Sequence, residues 1–418
     1  MKISLITPTH NLTHIQELYK SILEQTHEDW EWVLYVNGKA KTKYKYELSK
    51  QLREDPRVII KIDDTTNTKV GYLKNTAFMV GSGDILVEMD HDDLIVPECL
   101  AKVNAAFESD PEIGFVYSDN AKLDMLGDFV PYTPACGWTY DMVDFNGTQL
   151  IRMNSFDPDA ASMAFIWYMP DHVRAWRREV YHELGGHDVK LAILDDQDLI
   201  IRTYLKYKFH YIKEALYIYR ITGNNTWLER NEAIQRGTID MFFRYGYQLA
   251  ERDAELAGLL KVDIGGGLFP RQGYLTIDQE GAHITCDLNN GIPLPDNSVG
   301  VLNASHVLEH LKDPLKSMAE IYRVLADGGW AMIDVPSTDG RGAWMDPTHV
   351  SFWNENSFLY YTNRDQAQFI RNSTIRFQEF RCHTYYPSEW YARNQIPVVT
   401  AWLRAIKSNK RRPHEINI

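Results

Sequence analysis

The stretch Asp84-Ile-Leu-Val-Glu-Met-Asp90-His91-Asp92-Asp93 constrains this chain more than any other. Ile85, Leu86, Val87 and Met89 supply the apolar run of a strand covered on both faces. The run stops in a cluster of aspartates, Asp90, Asp92 and Asp93. Side by side these repel one another and lose hydration unless a cation sits among them. A hard divalent ion such as Mg²⁺ or Mn²⁺ takes oxygen ligands and is commonly shared between one or two carboxylates and substrate phosphates. In open α/β sheets the ligand crevice lies at the carboxyl ends of the strands, where this cluster falls. Taken alone, the motif also reads as a solvated, turn-forming aspartate run.

The residues before it alternate in a way that favours the first reading. Lys2-Ile-Ser-Leu-Ile-Thr7 is a short apolar strand ending in Pro8-Thr9-His10-Asn11, and Ile15, Leu18, Tyr19, Ile22 and Leu23 follow at helical spacing. Strand Trp32–Val36 stops at Asn37-Gly38, and a polar helix around Tyr46 to Leu52 leads to strand Val58–Ile62. A helix opened by Gly71-Tyr-Leu-Lys74-Asn75 runs to Gly81-Ser-Gly83, directly before the acidic strand. This β-α-β-α order predicts a parallel, doubly wound sheet.

The series Thr7-Pro8-Thr9, Val36-Asn37-Gly38, Gly71…Lys74-Asn75, Gly83-Asp84 and Asp90-His91-Asp92-Asp93 resembles the family 2 glycosyltransferases of the GT-A fold, over roughly the first 230 residues. The resemblance implies a nucleotide-sugar donor held at the first strand end (Thr7, Pro8, Thr9) and at the acidic cluster. Asp90 is then expected at ribose and metal, and Asp92 at the metal, Mn²⁺ or Mg²⁺, that bridges the diphosphate. Lys74 is expected near the donor, where a cation offsets phosphate charge; a helix-surface lysine is the alternative. Many relatives carry an acidic pair where this chain has Asn37-Gly38; Asn37 both donates and accepts hydrogen bonds, so it still suits a nucleobase edge.

Phe115-Val-Tyr-Ser118-Asp119-Asn120 reads as another strand end, and Leu123 to Met163 (Phe129, Tyr132, Trp138, Tyr140, Phe145) as aromatic loops shaping an acceptor cleft. The Gly185-Gly186 turn followed by Leu194-Asp195-Asp196-Gln197-Asp198 also resembles the family. There the second acid of such a pair accepts the acceptor hydroxyl's proton in an inverting reaction, which implies Asp196, with Asp195 as the close alternative. The chemistry needs such a group, because a sugar hydroxyl is a poor nucleophile until a positioned carboxylate takes its proton. Simple helix-start charges favoured by the dipole are the alternative. Relatives often carry a metal-ligating histidine where Thr222 stands.

Arg230 to Leu260 has approximate helix spacing and reads as a linking helix or pair. Beyond it, Val262-Asp263-Ile-Gly265-Gly266-Gly267, Tyr274-Leu-Thr-Ile-Asp278, Thr285-Cys-Asp287, Val301–Ala304 and Gly328-Gly329-Trp-Ala-Met-Ile-Asp-Val335 succeed one another as strand ends. Their order resembles a class I S-adenosylmethionine-dependent methyltransferase. By that resemblance Gly265 and Gly267 line the cofactor, Asp278 takes the ribose and Asp287 lies near adenine. Glycine there lets the backbone approach the ligand, and an acid at the second strand end suits ribose hydroxyls. The connection between the glycine turn and the second strand is short for this family. His306, Glu309 and His310 form an HxxEH pattern, read as orienting a loop at the cleft in preference to binding metal. His349, in Asp346-Pro-Thr-His349, reads as a structural histidine, with a general base as the alternative.

Two to three domains suit 418 residues. A net charge of −13 argues against nucleic-acid binding. Cys99, Cys136, Cys286 and Cys382 lack metal-site spacing and suggest reduced thiols in a cytoplasmic protein. No run has the length of a transmembrane segment, and the amino terminus reads as a strand rather than a signal peptide. Lys407 to Arg412 reads as a solvated basic tail, with a peripheral membrane contact as the alternative.

The expectation is therefore an α/β chain of two doubly wound Rossmann-like domains. Residues 1–230 form the GT-A glycosyltransferase domain, 231–260 the linking helix, 261–400 the methyltransferase-like domain and 401–418 the tail. The expected function is inverting transfer of a sugar to a glycan or glycolipid, coupled to O-methylation of the glycan with S-adenosylmethionine. The alternatives are a glycosyltransferase whose second domain only docks, or a non-catalytic carbohydrate- or nucleotide-binding protein.

Overall fold

Ile3–Thr9 (β1) and the largely apolar Trp30–Val36 (β2) are buried along almost their whole length as neighbouring parallel strands. The structure is a computed structural model that describes residues 1–127, 129–131, 137–166, 168–223 and 225–409. The chain divides into two units, Met1–Gly246 and Tyr247–Ile418, a division that falls within the continuous helix Asn231–Leu256.

In the first unit the remaining strands are Val58–Ile62 (β3), Ile85–Glu88 (β4), Leu94–Ile95 (β5), Ile113–Asp124 (β6), Tyr140–Phe145 (β7), Thr148–Met153 (β8), Arg174–Arg177 (β9) and Lys208–Ile221 (β10). The sheet order is β3-β2-β1-β4-β9-β6-β10-β5. β3, β2, β1 and β4 are mutually parallel, as the alternation predicts, whereas β9 is antiparallel to both β4 and β6. Helix Ile15–Leu23 buries Ile15, Leu18, Tyr19 and Ile22 on the sheet, with Tyr19 stacked on Trp32 at 5.9 Å. The polar segment before β3 forms two short helices, Tyr44–Glu47 and Lys50–Glu54.

The stretch expected as aromatic loops is corrected by a hairpin, β7 and β8, whose second strand pairs with β6. Its turn is Asn146-Gly147, with φ of 53° and 82°. That dipeptide accepts the left-handed backbone that a tight hairpin turn demands. Tyr132 and Cys136 lie outside the described residues, as does Asn224.

In the second unit Leu260–Ile264 (β11), Leu275–Asp278 (β12), Ile284–Thr285 (β13), Val299–Ser305 (β14), Leu325–Pro336 (β15), Phe377–Tyr385 (β16) and Val398–Ala405 (β17) form a sheet in the order β13-β12-β11-β14-β15-β17-β16. The first five are parallel, and β17 runs antiparallel to both its neighbours. Residues 265–274, between β11 and β12, contain no helix. Helix Pro314–Val324 is capped by Asp313, which accepts from the Leu315 and Lys316 N–H groups, and buries Met318, Ile321 and Val324.

The end of this unit also departs from the expected boundary at residue 400. β17 runs to Ala405 and is buried at every position between β15 and β16. A strand flanked on both sides needs apolar cover, which Val398, Val399, Ala401 and Leu403 provide. Lys407 is docked too, its Nζ donating to Asn297 Oδ1 at 2.6 Å, and residues 410–418 lie outside the described residues. Cys99, Cys286 and Cys382 are free. Among the described residues no helix is long and apolar enough to cross a membrane.

Candidate functional site

Two motifs far apart in sequence are pressed together by one glycine. Helix Val70–Phe78 lies so close to the loop after the Gly185-Gly186 turn that a Cβ on Gly71 would fall 2.1 Å from the Asp188 carbonyl oxygen. Four residues on, Asn75 Nδ2 donates to the Gly185 and His187 carbonyls at 3.1 and 2.8 Å. Arg202 closes the same loop from helix Asp195–Tyr204, donating to the Leu184 and Gly186 carbonyls, both at 2.7 Å. The start of that helix is thereby held beside β4.

Between them lies a buried charge network centred on Glu88, the last residue of β4 and 1% exposed. Lys74 Nζ donates to Glu88 Oε1 at 2.9 Å and lies 3.9 Å from Asp195 Oδ2. Arg174, from β9, places Nη1 2.5 Å from Asp196 Oδ2 and 3.4 Å from Glu88 Oε1. His187 stands 3.0 Å from Asp195 and 3.8 Å from Glu88. Burial raises the Glu88 carboxyl, but Lys74, Arg174 and His187 together hold it below its ordinary value. Burial would likewise strip the Lys74 proton, and Glu88, Asp195, Asp196 and Asp90 outweigh that. At Asp196 burial is overcome by Arg174 and Lys74, so its carboxyl sits well below the usual carboxylate range.

Asp90 follows two residues after Glu88, and 38% of its side chain is exposed. Burial of the carboxyl pushes it up to about 7, with Lys74 opposing and the negative charges of Glu88 and Asp92 adding to the rise. His172 Nε2 lies 3.5 Å from Asp90 Oδ2, but burial and Arg174 depress the imidazole well below its usual value, so the contact carries no neutralising charge. Asp92 is half-buried. Asp93 does not join them: it is 1% exposed and accepts the Arg220 N–H at 2.7 Å, while Arg220 Nε donates to the Asp92 carbonyl at 2.6 Å. Two neighbouring carboxylates with surplus negative charge are a donor set that fits a hard divalent ion.

The other expected donor contacts divide by face. Thr7 is fully buried and accepts from Trp32 Nε1 at 2.9 Å, so it faces the core. Thr9 closes a turn onto the Asn11 carbonyl at 2.5 Å, and Pro8 between them is half-buried on the opposite face of β1. Asn37 is 8% exposed at the end of β2. Beside it, one residue past the Val36–Ile62 pair, Asp63 is buried and accepts from Tyr35 Oη, the Thr65 N–H and Thr65 Oγ1. Lys74 points inward, its side chain 13% exposed. The Thr222 N–H donates to Asn225 Oδ1 at 3.0 Å. Glu88, Arg174, His187 and Asp63 are the residues sequence reasoning missed. A glutamate inside an apolar strand signals a buried partner; Arg174 carries no such local sign.

In the second unit a cavity of about 440 Å³ is lined by Gly265, Asp278, Leu288, His306, His310 and Thr348, among others. Gly265 has φ 74°, and a Cβ there would fall 2.0 Å from Val307 Cγ2. The Gly267 N–H donates to Asp278 Oδ2 at 2.9 Å and the Gln279 N–H to Oδ1 at 2.6 Å, which fixes the acid at the β12 end. Asp287 is exposed, and its side chain caps the turn Leu288–Asn290 by accepting from the Asn289 N–H at 3.0 Å. It is Cys286, Leu288 and Asn289 around it that line the cavity. A held carboxylate in a cavity of this size fits a nucleoside with free ribose hydroxyls.

Residues 4–185 match the family model described as Glycosyl transferase family 2, and residues 268–333 the one described as Methyltransferase domain. An uncharacterized glycosyltransferase of Haemophilus influenzae is 27% identical over 202 residues, 48% of this chain and 61% of that protein. A probable S-adenosylmethionine-dependent methyltransferase of Mycolicibacterium smegmatis is 29% identical over 147 residues, 31% of this chain and 54% of that protein. Each of these two relatives is thus spanned for less than two thirds of its length. The crystal structure of S. aureus TarS 1-349 is similar with a TM-score of 0.44 at 18% identity, covering 62% of this chain and 71% of that one. The chain thus carries a stretch similar to glycosyl transferase family 2 followed by a stretch similar to a methyltransferase domain.

Proposed function

We propose that the first unit transfers a sugar, with inversion, from a nucleotide-sugar to a hydroxyl of a glycan or glycolipid. The observation that carries this reading is Arg174, which ties Asp196 to Glu88, two residues before Asp90. It sets a carboxylate kept ionised close to a carboxylate pair in surplus of negative charge. Asp196 takes the proton of the acceptor hydroxyl, whose oxygen attacks the anomeric carbon from the face opposite the diphosphate. The bond from that carbon to the phosphate oxygen breaks, and the diphosphate leaves with the electron pair. A divalent ion at Asp90 and Asp92 would offset the charge that develops on the leaving group. Asn37 and Asp63, at neighbouring strand ends, suit the edge of the nucleobase. The test is a panel of nucleotide-sugars with Mn²⁺ and mass detection of the acceptor. A glycosylated product of inverted anomeric configuration supports the reading; a folded protein inert toward every donor favours a binding role.

The second unit is proposed to methylate a glycan hydroxyl. S-adenosylmethionine, when bound, supplies an electrophilic methyl group. The 440 Å³ cavity and the fixed Asp278 carboxylate support this over a docking role. Calorimetry with S-adenosylhomocysteine decides between them, since a folded domain that gives no heat only docks. A cytoplasmic site of action fits both substrates.

A further inference from the structure

Glu309 is 2% exposed; the His306 imidazole lies against its Oε1, and Oε2 has no hydrogen-bond partner. A buried carboxylate in that condition is strongly destabilising unless something of opposite charge meets it. His306 Nδ1 lies 3.4 Å from Oε1, on a side chain 44% exposed. His310 and His349 are close by as well: one ligand atom from each of Glu309, His310 and His349 lies within 4.8 Å of the others.

We propose that Glu309, His310 and His349 form a divalent-cation site at the edge of the second unit's cavity. The site is built from its surroundings. The Glu309 carbonyl accepts the N–H groups of Val350 and Ser351 at 2.8 and 3.0 Å, which clamps the loop carrying His349 against the turn Leu308–His310. Ser351 Oγ donates to the Leu308 carbonyl at 2.7 Å and strengthens the clamp. Each histidine has its Nδ1 engaged with a carbonyl: His310 with Thr348 at 3.3 Å, His349 with Ala343 at 3.0 Å. A carbonyl at Nδ1 fixes the tautomer and ring angle of a metal-binding histidine and makes Nε2 the ligand atom; at His349 that Nε2 also has Asp346 Oδ2 3.9 Å away. The rings meet edge to face at 5.0 Å, and His349 is 7% exposed.

Two imidazoles and one carboxylate suit a first-row ion such as Mn²⁺, Co²⁺ or Zn²⁺ and leave coordination positions open. Of the three, His310 also lines the cavity, as does Thr348, so the site lies at the cavity's edge. The ligand class is an oxygen of a hydroxyl-bearing acceptor, which the ion would orient and acidify. The cation site stands on these residues alone; only its use in methyl transfer rests on the proposed activity of this unit.

The test is titration of the chelator-treated full chain with Co²⁺, read by visible absorption. One equivalent of histidine-dependent absorption is expected, retained in Asp92→Asn and weakened at least about tenfold in affinity in both Glu309→Gln and His349→Asn. In the Asp92→Asn background Co²⁺ should also raise the melting midpoint, and this rise should be lost when His349→Asn is added. A folded wild type without such absorption, or absorption unchanged in His349→Asn, overturns the site. If Glu309→Gln fails to fold, His310→Asn takes its place. S-adenosylhomocysteine binding without the Co²⁺ signal removes the cation site and leaves the methyltransferase reading. The Co²⁺ signal without S-adenosylhomocysteine binding does the reverse.

Discussion

Arg174 Nη1 lies 2.5 Å from Asp196 Oδ2, so the proposed base is paired with a guanidinium before any acceptor arrives. The pairing keeps Asp196 ionised far into acid. In Arg174→Gln the carboxyl loses its main opposing charge, and burial raises it. The acid limb should move up by at least about one pH unit, read from kcat against pH. Asp196→Asn should lower kcat by about 10² to 10⁴ with little change in donor KM.

Asp90 is pushed up to about 7, chiefly by burial. A proton and a metal ion compete for it, so Mn²⁺ affinity should rise with pH and level off above about 7. Calorimetry in two buffers of different ionisation enthalpy, run on His349→Asn, should show proton release below that point. Binding independent of pH from 5.5 to 8 would contradict the assignment of Asp90 as a ligand.

Thr7 accepts from Trp32 Nε1 inside the core, 2.9 Å away. Thr7→Val leaves that buried donor unpaired and should destabilise the first unit by about 1–3 kcal/mol in urea unfolding. Donor KM should stay within about twofold. A large rise in KM at unchanged stability would return Thr7 to the donor site.

Glu31 is nearly buried, and burial raises its carboxyl. Lys2, Ser4 and Ser82 donate to it at 2.5 to 2.8 Å and hold it down to about 2 instead. Its contribution is present in full above the unfolded value near 4.5 and is lost as pH falls from there to about 2. Glu31→Gln should therefore cost roughly 2–3 kcal/mol at pH 7 and far less at pH 3, measured by denaturant unfolding at both.

Much of the fold is legible in the sequence because its strands are short apolar runs that stop at Gly, Asn or Asp, and its helices bury residues at regular spacing. Ile15, Leu18, Tyr19 and Ile22 show this directly. The β7–β8 hairpin was equally legible in Asn146-Gly147, but the surrounding aromatics drew attention to a cleft instead. The run Ile396 to Trp402 reads from sequence as either a final strand or a helix, and the fold makes it β17. In the site, the acids that end β4 and start helix Asp195–Tyr204 are conspicuous. The cations that organise them are not, because β9 reaches β4 by an antiparallel insertion that only the folded sheet reveals. Thr7 shows the opposite error, since a polar residue at a strand end faces the ligand or the core according to the pleat alone.

The ten residues from Gly265 to Tyr274 pass from one strand to the next without a helical turn. A helix starting there would aim a partial positive charge at whatever occupies the glycine turn, anchoring a pyrophosphate and opposing a sulfonium. Its omission withholds the main attraction for dinucleotides while sparing a cationic ligand that repulsion. Under the proposed methyltransferase reading, the brevity of this one connection would favour an alkyl-donating nucleoside over a redox dinucleotide.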